Sequence, residues 1–533
     1  MDASSRRAAA IIQLWYSALP RASSAHYLSA PKCGKMARMI RKVAKIVGML
    51  VLALLLVGVA LYVFGLRVVI YGGGSPHLAF VESDAARGER ITRHREAQRA
   101  SAEPAGAASP APADPGRSQP AASVAPLPTA GGGPTPAVQT PATVYWTDFR
   151  GPRRDGHYAE RPIQTNWPSG GIAPLWKEPV GGGYASFVIA RGRAFTIEQR
   201  GGEEVAVAYD IATGRELWTN TWTAAFRETM GGDGPRATPT WADGLVYVLG
   251  AAGELRCLDD GAGGVVWRTN ILSDAGATNL QWGMAASPLI VDDTVVVLPG
   301  GAGGRSVVAY ERRTGKPAWS ALGDQQAYSS PMLVTLAGVR QILVFSASRL
   351  MGVTPNRGEV LWEYPWTTQY GVNAGQPLLI GETRVFISTG YGAGAAVVEI
   401  NAAGGRLSAR QVWRNIRMKN QFTSSVLQDG YIYGLDEAIL ACLDAATGEL
   451  KWKGGRYGYG QVLLASGHLI VLTEDGDLAL VRATPEGHQE LARFSVLHGK
   501  TWNHPAMADG YLLIRNSNEM AAFDLRLPGA ERR

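Results

Sequence analysis

From Val144 onward, apolar residues come in short bursts separated by bends rich in Gly, Asp and Thr, the pattern of consecutive β-strands. Residues 424 to 455 show one full unit. "SSVLQ" leads to a bend at Asp429-Gly430, then "YIYGL", a short turn, "ILACLDA", a second bend at Thr447-Gly448, and "LKWKG". Asp-Gly tolerates the positive φ of a tight hairpin, and it recurs at Asp243-Gly244 and Asp509-Gly510, with variants at Arg191-Gly192, Ser466-Gly467 and Asp292-Asp293. The second bend repeats as "YDIATGRELW", "YERRTGKPAW" and "LDAATGELKW", where an Asp or Asn side chain can bond forward to backbone N–H while Gly takes the left-handed conformation.

The Trp after that bend marks the interval. Trp176, Trp218, Trp267, Trp319, Trp362, Trp413 and Trp452 succeed one another at 39 to 52 residues, and Phe494 in "LARFSV" stands as the eighth mark. Such an interval fits a four-stranded unit, and eight marks predict eight units. The last unit, "HPAMADGYLLIRNSNEMAAFDLR", supplies three strands and no Trp strand after Leu525, whereas "PLWKEPV" (174 to 180) precedes any strands of its own unit. Joining the two ends completes the eighth sheet and removes the exposed edges an open ring would leave. The expected fold is all-β: an eight-bladed β-propeller of four-stranded antiparallel blades, closed by its N-terminal strand and preceded by one transmembrane helix.

That helix is expected at 46–66, "IVGMLVLALLLVGVALYVFGL", an uncharged run long enough to cross a bilayer. Lys35, Arg38, Arg41, Lys42 and Lys45 flank it, which predicts a cytoplasmic N-terminus and export of the chain beyond Arg67. An uncleaved anchor is expected, since a signal peptide would have a shorter apolar region and a small-residue cleavage site, which "VFGLRVV" lacks. Met36 and Met39 offer alternative starts ahead of the basic flank. The chain then divides into a basic cytoplasmic tail (1–45), the helix (46–66), a disordered Ala/Pro/Gly-rich linker (67–143) and the propeller (144–533).

Composition changes this picture little. The formal charge of +7 sits in the tail, where residues 1–45 hold nine Lys/Arg against one Asp, so the body offers no footprint for nucleic acid. Cys257 in "ELRCLDD" and Cys442 in "ILACLDA" occupy the same position of two distant units and are expected buried in separate cores, too far apart to bridge.

The repeated phrases, with inner strands such as "RATPTWADGLVYVLG" and "AASPLIVDDTVVVLP", resemble the tryptophan-docking repeats of the PQQ-like quinoprotein β-propellers. The resemblance covers about residues 144 to 526, and "YWTDFRGPRRDGHYAE" resembles the lead-in of exported or membrane-anchored members. It implies either a PQQ-dependent alcohol or sugar dehydrogenase, with PQQ and Ca²⁺ in an axial funnel, or a non-enzymatic propeller of the BamB type with an envelope protein partner. The vicinal Cys pair that those dehydrogenases set against the quinone is absent, as is a Cys-x-x-Cys-His haem motif.

Residues at the starts of the inner strands face a propeller's axis, which makes Arg236, Trp282, Gln326, Asn373, Lys419, Asn420, Trp502 and His504 the candidate ligand contacts. Aromatic, Arg, Gln and Asn side chains there suit a flat anion such as a quinone carboxylate; the alternative is a solvated polar channel. No metal site is expected. "TEDGD" (473–477) aligns with the plain hairpin turn "GAAGE" (250–254) and lacks the distal Glu of a calcium loop. "GYGAGAA" (390–396) runs into the strand-like "AVVEI" rather than a helix, and no Gly-x-Ser-x-Gly elbow occurs. The leading expectation is a single-pass inner-membrane protein whose propeller faces the periplasm or the cell exterior and binds a ligand or protein. The alternative is the quinoprotein oxidoreductase.

Overall fold

The computed structural model describes residues 33–102, 145–168 and 170–528. The tail through residue 32 and the linker residues 103–143 lie outside the described residues. The chain forms two compact units, Met1–Leu66 and Arg67–Arg533. In the first, helix α1 runs Cys33–Val63, and its stretch Arg38–Val63 is long and apolar enough to cross a membrane. It ends three residues short of the apolar run, at a turn in which Gly65 takes a φ of +95°, and Leu66 opens strand β1 (Leu66–Ile70).

Residues 67–102 depart from the expected linker. β1 pairs with β2 (Pro76–Phe80), and helix α2 spans Asp84–Ala102. The cause is burial that local composition does not reveal. Ile91 is fully buried, and Arg95, 2% exposed, donates to the Pro179 carbonyl at 2.7 Å and pairs with Glu178 at 3.2 Å, 83 residues further along the chain.

Eight sheets make up the ring. Blade 1 holds Val188–Ala190, Arg193–Arg200, Glu203–Asp210 and Glu216–Thr223, from the axis outward. Blades 2 to 7 occupy 240–270, 289–321, 332–365, 378–415, 426–456 and 461–495, each four-stranded and antiparallel, with β3 (His157–Tyr158) added in parallel to blade 7. Blade 8 takes three strands from 506–524 and its fourth from β4 (Trp176–Pro179), with Ala522 opposite Trp176, so the ring closes as the sequence predicts. Burial explains the two kinds of strand. Inner strands such as Gln461–Ala465 are covered on both faces by neighbouring blades, whereas the outer strand Glu216–Thr223 alternates between buried and exposed.

The repeated Gly-to-Trp phrase is a joint between blades. The Trp413 indole donates to the Ala445 carbonyl of blade 6 at 3.0 Å, and a Cβ on Gly448, whose φ is +74°, would stand 2.7 Å from that ring. Trp176, Trp218, Trp267 and Trp452 donate likewise to Ile211, Asp260, Arg312 and Thr484 of the adjoining blade. Phe494 is not the eighth mark. A register shift between Leu480 and Val481 places Ala492 at the Trp position, while Phe494 lies two residues on, opposite Leu478 and edge-on to Trp167 and Phe523. Cys257 and Cys442 face Trp267 and Trp452 in separate cores, unbridged, and burial pushes both thiols up to about 12.

The lead-in crosses the axis. Trp146 pairs its backbone with Ile189 of blade 1, Thr147 accepts from Trp241 of blade 2, Phe149 packs edge-on to His504 of blade 8, and Gly156 accepts from Leu464 of blade 7. Arg154, 2% exposed, pairs with Asp148 at 2.9 Å and donates to the carbonyls of Pro331 (2.8 Å), Ser287 (3.4 Å) and Pro288. Arg150 reaches the Ser425 carbonyl at 2.9 Å. One short segment thus ties together blades on opposite sides of the ring.

Candidate functional site

Just before each inner strand the chain spends a polar side chain on the neighbouring blade. Ser186 N–H donates to Thr238 (2.9 Å), Thr240 to the Pro288 carbonyl (2.6 Å), Ser287 N–H to Ser330 (2.9 Å), and Ser330 N–H to Gln376 (3.3 Å). Gln376 N–H donates to Ser424 (3.0 Å), Gln461 donates to the Phe422 and Trp502 carbonyls (3.4 and 2.9 Å), and Ser186 donates to the His504 carbonyl (2.6 Å). Every adjacent pair of blades is joined in this way. The sequence reading missed this belt, although a Ser, Thr, Gln or His before Pro in "SPLI", "SPML", "QPLL" and "HPAM" was its visible signal.

Several expected ligand contacts are committed to bonds within the protein. Asn373 donates to the Ser346 carbonyl at 2.7 Å and accepts from Thr389 at 2.9 Å. Asn420 donates to Leu435 at 3.0 Å and accepts from Ser425 at 2.8 Å. Lys419 and Lys453 both bond Asp436 at 2.6 Å; burial raises that carboxyl, and the two ammonium groups more than offset it, holding it below the usual range. Gln326 is buried against Gly300. His504 is buried near Arg150, and desolvation holds its imidazole well below its usual pKa, hence neutral. Unpartnered polar atoms at Ser287, Ser329, Thr423, Gln461 and Asn503 mark the inner-strand starts as places for ordered water.

Three of the expected residues do converge, at the end of the ring where the inner strands begin. Arg236 donates to the Gly232 and Gly234 carbonyls and lies 4.7 Å from the Phe226 ring centroid. A Cβ on Gly231 would stand 3.1 Å from the Trp282 ring and 3.2 Å from the Arg236 guanidinium. Trp502 donates to Glu474 at 2.9 Å, lies 5.4 Å from Tyr184 and 4.3 Å from Phe422, and carries over its face the ammonium of Lys500 at 4.1 Å. Lys500 also donates to the Gly231 carbonyl at 3.0 Å, which links the Trp502 side of the mouth to Arg236 and Trp282. Burial, helped by Arg236, pushes the Lys500 ammonium down to about 8. Lys500 and Glu474 were not among the expected residues; Glu474 belongs to "TEDGD", which is a hairpin turn as read and also a carboxylate at the mouth.

The strap formed by 67–102 reaches this mouth. Gly72 N–H donates to Glu474 at 2.6 Å, and Lys500 donates to the Ile70 carbonyl at 3.3 Å. The donor set does not suit a quinone held with calcium. Ca²⁺ takes six to eight oxygens, about half a dozen at least, yet Glu474 is spent on N–H donors from Gly72, Tyr459 and Trp502, and Glu228 on Met230 and Gly231. Among the described residues no three His, Cys, Asp or Glu gather where they could hold a metal.

Comparison with known proteins agrees with the repeat. The family model described as outer membrane protein assembly factor BamB matches residues 201–454. The chain is 22% identical over 259 residues to the assembly factor BamB of Bordetella pertussis, spanning 46% of this chain and 58% of that protein. It is 23% identical over 323 residues to that of Yersinia pestis, spanning 56% of this chain and 75% of that protein. Among solved structures, a europium-containing methanol dehydrogenase shares the fold at 12% identity and a TM-score of 0.54, over 70% of this chain and 89% of that one. With Trp-on-Gly contacts between blades at Gly214, Gly263, Gly315, Gly358 and Gly448 and a sheet completed by its own N-terminal strand, the chain is an eight-bladed β-propeller of PQQ-like repeats.

Proposed function

We propose that the chain is a membrane-anchored, periplasm-facing propeller that binds an envelope protein rather than turning over a substrate. The observation that carries this reading is the fate of the axial polar groups: Asn373 and the Ser/Thr/Gln belt bond neighbouring blades, Asn420 is spent on the blade it leads into, and the lead-in occupies the axis. What is left to meet a partner is the loop surface, a setting in which propellers present broad recognition faces. Exposed apolar side chains stand there, Tyr370 (61% exposed), Ile416 (76%) and Met230 (52%), each in a loop leading into an inner strand. The likeness to the BamB assembly factors points the same way, toward a partner in envelope protein assembly, and α1 has the length and polarity of an anchor.

The test is site-specific photocrosslinking in intact cells at Ile416 and Tyr370. A single envelope protein in the adduct, lost in an Ile416→Glu variant probed at Tyr370, supports the reading. A second reading, a quinone oxidoreductase, draws on the aromatic and cationic mouth of Trp502, Lys500, Trp282 and Arg236. Tight binding of PQQ with Ca²⁺, together with dye reduction by alcohols or sugars, would establish it and displace the binding-module reading.

A further inference from the structure

The strap's two halves are held very differently. In α2, Ile91 is fully buried, and Arg95 bonds the Pro179 carbonyl, pairs with Glu178 and lies 5.0 Å from the Tyr209 ring. The hairpin before it has no fully buried residue: Leu66–Ile70 is half-buried apart from Val68, 58% exposed, Gly73 to Leu78 are exposed throughout, and Phe80 is 72% exposed. Segments with few buried apolar contacts open at low free-energy cost while the rest of the fold persists. The turn can therefore leave the mouth while α2 stays docked.

What the mouth holds of this turn is main chain. Glu474 accepts the Gly72 N–H, Lys500 donates to the Ile70 carbonyl, and the Tyr459 ring lies so close to Gly72 and Gly73 that a Cβ on Gly72 would stand 2.1 Å from the ring carbons Cγ and Cδ2. A carboxylate, an ammonium and an aromatic wall placed in this way read a peptide backbone and demand glycine at its centre. They do not read the identity of the flanking side chains. Beside the turn a groove of about 540 Å³ continues, lined on the propeller side by Asp436, Lys453, Arg456, Asp475 and Arg493, so the turn leaves part of the site unfilled.

We propose that the mouth formed by Tyr459, Glu474, Lys500 and Trp502 is a binding site for a glycine-centred turn of peptide main chain, held in cis by Tyr71–Gly73 and opened to a partner's peptide when that turn leaves. The proposal rests on the binding-module reading and names the chemistry of one contact within it. Attachment to the docked α2 makes the cis turn a strong competitor, since a binding element joined within the same chain acts at an effective concentration of about millimolar. A partner must outcompete it or meet a strap already displaced, so the membrane-proximal segment gates the site.

The test uses the full-length protein and, as probe, a fluorescein-labelled peptide with this chain's sequence 67–79. Gly72→Ala in the protein evicts the cis turn, because its Cβ has no room beside Tyr459; Ser75→Ala, on an exposed side chain, is the control. Peptide binding read by fluorescence anisotropy should be at least tenfold tighter to Gly72→Ala than to wild type or Ser75→Ala. It should be lost when the peptide itself carries alanine for Gly72, and weakened when Lys500→Met is added to the protein. Equal binding to wild type and Gly72→Ala, or binding indifferent to alanine in the peptide, overturns the proposal. So does unchanged hydrogen-exchange protection of the amide at position 72 in the variant, because the steric argument then fails. Crosslinking at Ile416 is a separate measurement, so failure of the peptide titration and failure of the binding-module reading remain distinguishable.

Discussion

The ring of Trp413 lies on the backbone of Gly448, which belongs to the next blade, and 2.7 Å is all that would separate that ring from a Cβ placed there. The glycine of the repeated phrase therefore answers two demands at once, a φ of +74° and the close approach of a neighbouring indole. This separates glycines of similar backbone conformation into different classes of importance.

Gly448→Ala should cost roughly 2–4 kcal/mol, combining left-handed strain with overpacking against Trp413. Gly430→Ala, with φ +83° but open space around the Cβ, should cost only about 1–2 kcal/mol. Urea unfolding midpoints of the two variants, compared with wild type, check the ordering.

Arg154→Met removes the cation that pairs with Asp148 and bonds carbonyls of blades 3 and 4. Losing one partner of a buried ion pair typically costs about 3–5 kcal/mol, and the freed carbonyls add to the damage. Lys at this position should rescue little, because one ammonium cannot span the carbonyls that the guanidinium reaches. Thermal unfolding, with limited proteolysis across 145–156, reads the loss.

Cys257 and Cys442 should resist alkylation in the native protein at pH 8, since burial pushes both thiols up to about 12 and thiolate is the reactive form. Both should react fully in denaturant. Mass spectrometry of the labelled peptides measures each thiol separately.

His504 should make the fold less stable in acid. Its folded pKa lies well below the ordinary 6.5, so at pH values between the folded and unfolded values the unfolded chain binds the extra proton. The linked stability is present above about pH 6.5 and declines as pH falls below it. His504→Gln should flatten that part of the stability profile, and chemical unfolding at pH 7.5, 6.0 and 5.0 tests it.

Much of the fold was legible. The blade count and the pairing of Trp176 with the last sheet came from counting marks, and Asp429-Gly430 turns as read, with φ of 50° and 83°. Phe494 misled because blade 7 carries the small Ala492 at the position where blades 1 to 6 carry Trp, and the nearest aromatic lies two residues further along the strand. The strap was hidden for another reason. Arg87 and Arg95 look like a solvated charged face, yet the groups that neutralise Arg95, Glu178 and Glu216, belong to the far side of the linker. Of the candidate site, Arg236, Trp282 and Trp502 meet at the mouth, while Asn373, Asn420, Lys419 and His504 are engaged elsewhere.

Local rules were enough to establish strands, turns, blade number and ring closure, because period-two burial and the φ demands of a bend act within a few residues and repeat every blade. Where each axial side chain spends its hydrogen bonds was settled only in three dimensions. The partner of Gln376 is 48 residues away at Ser424, that of Ser186 is 318 away at His504, and that of Glu474 is 402 away at Gly72. A polar residue before an inner strand reads identically in sequence whether it faces a ligand, water or the next blade; the curvature of the closed ring selects which.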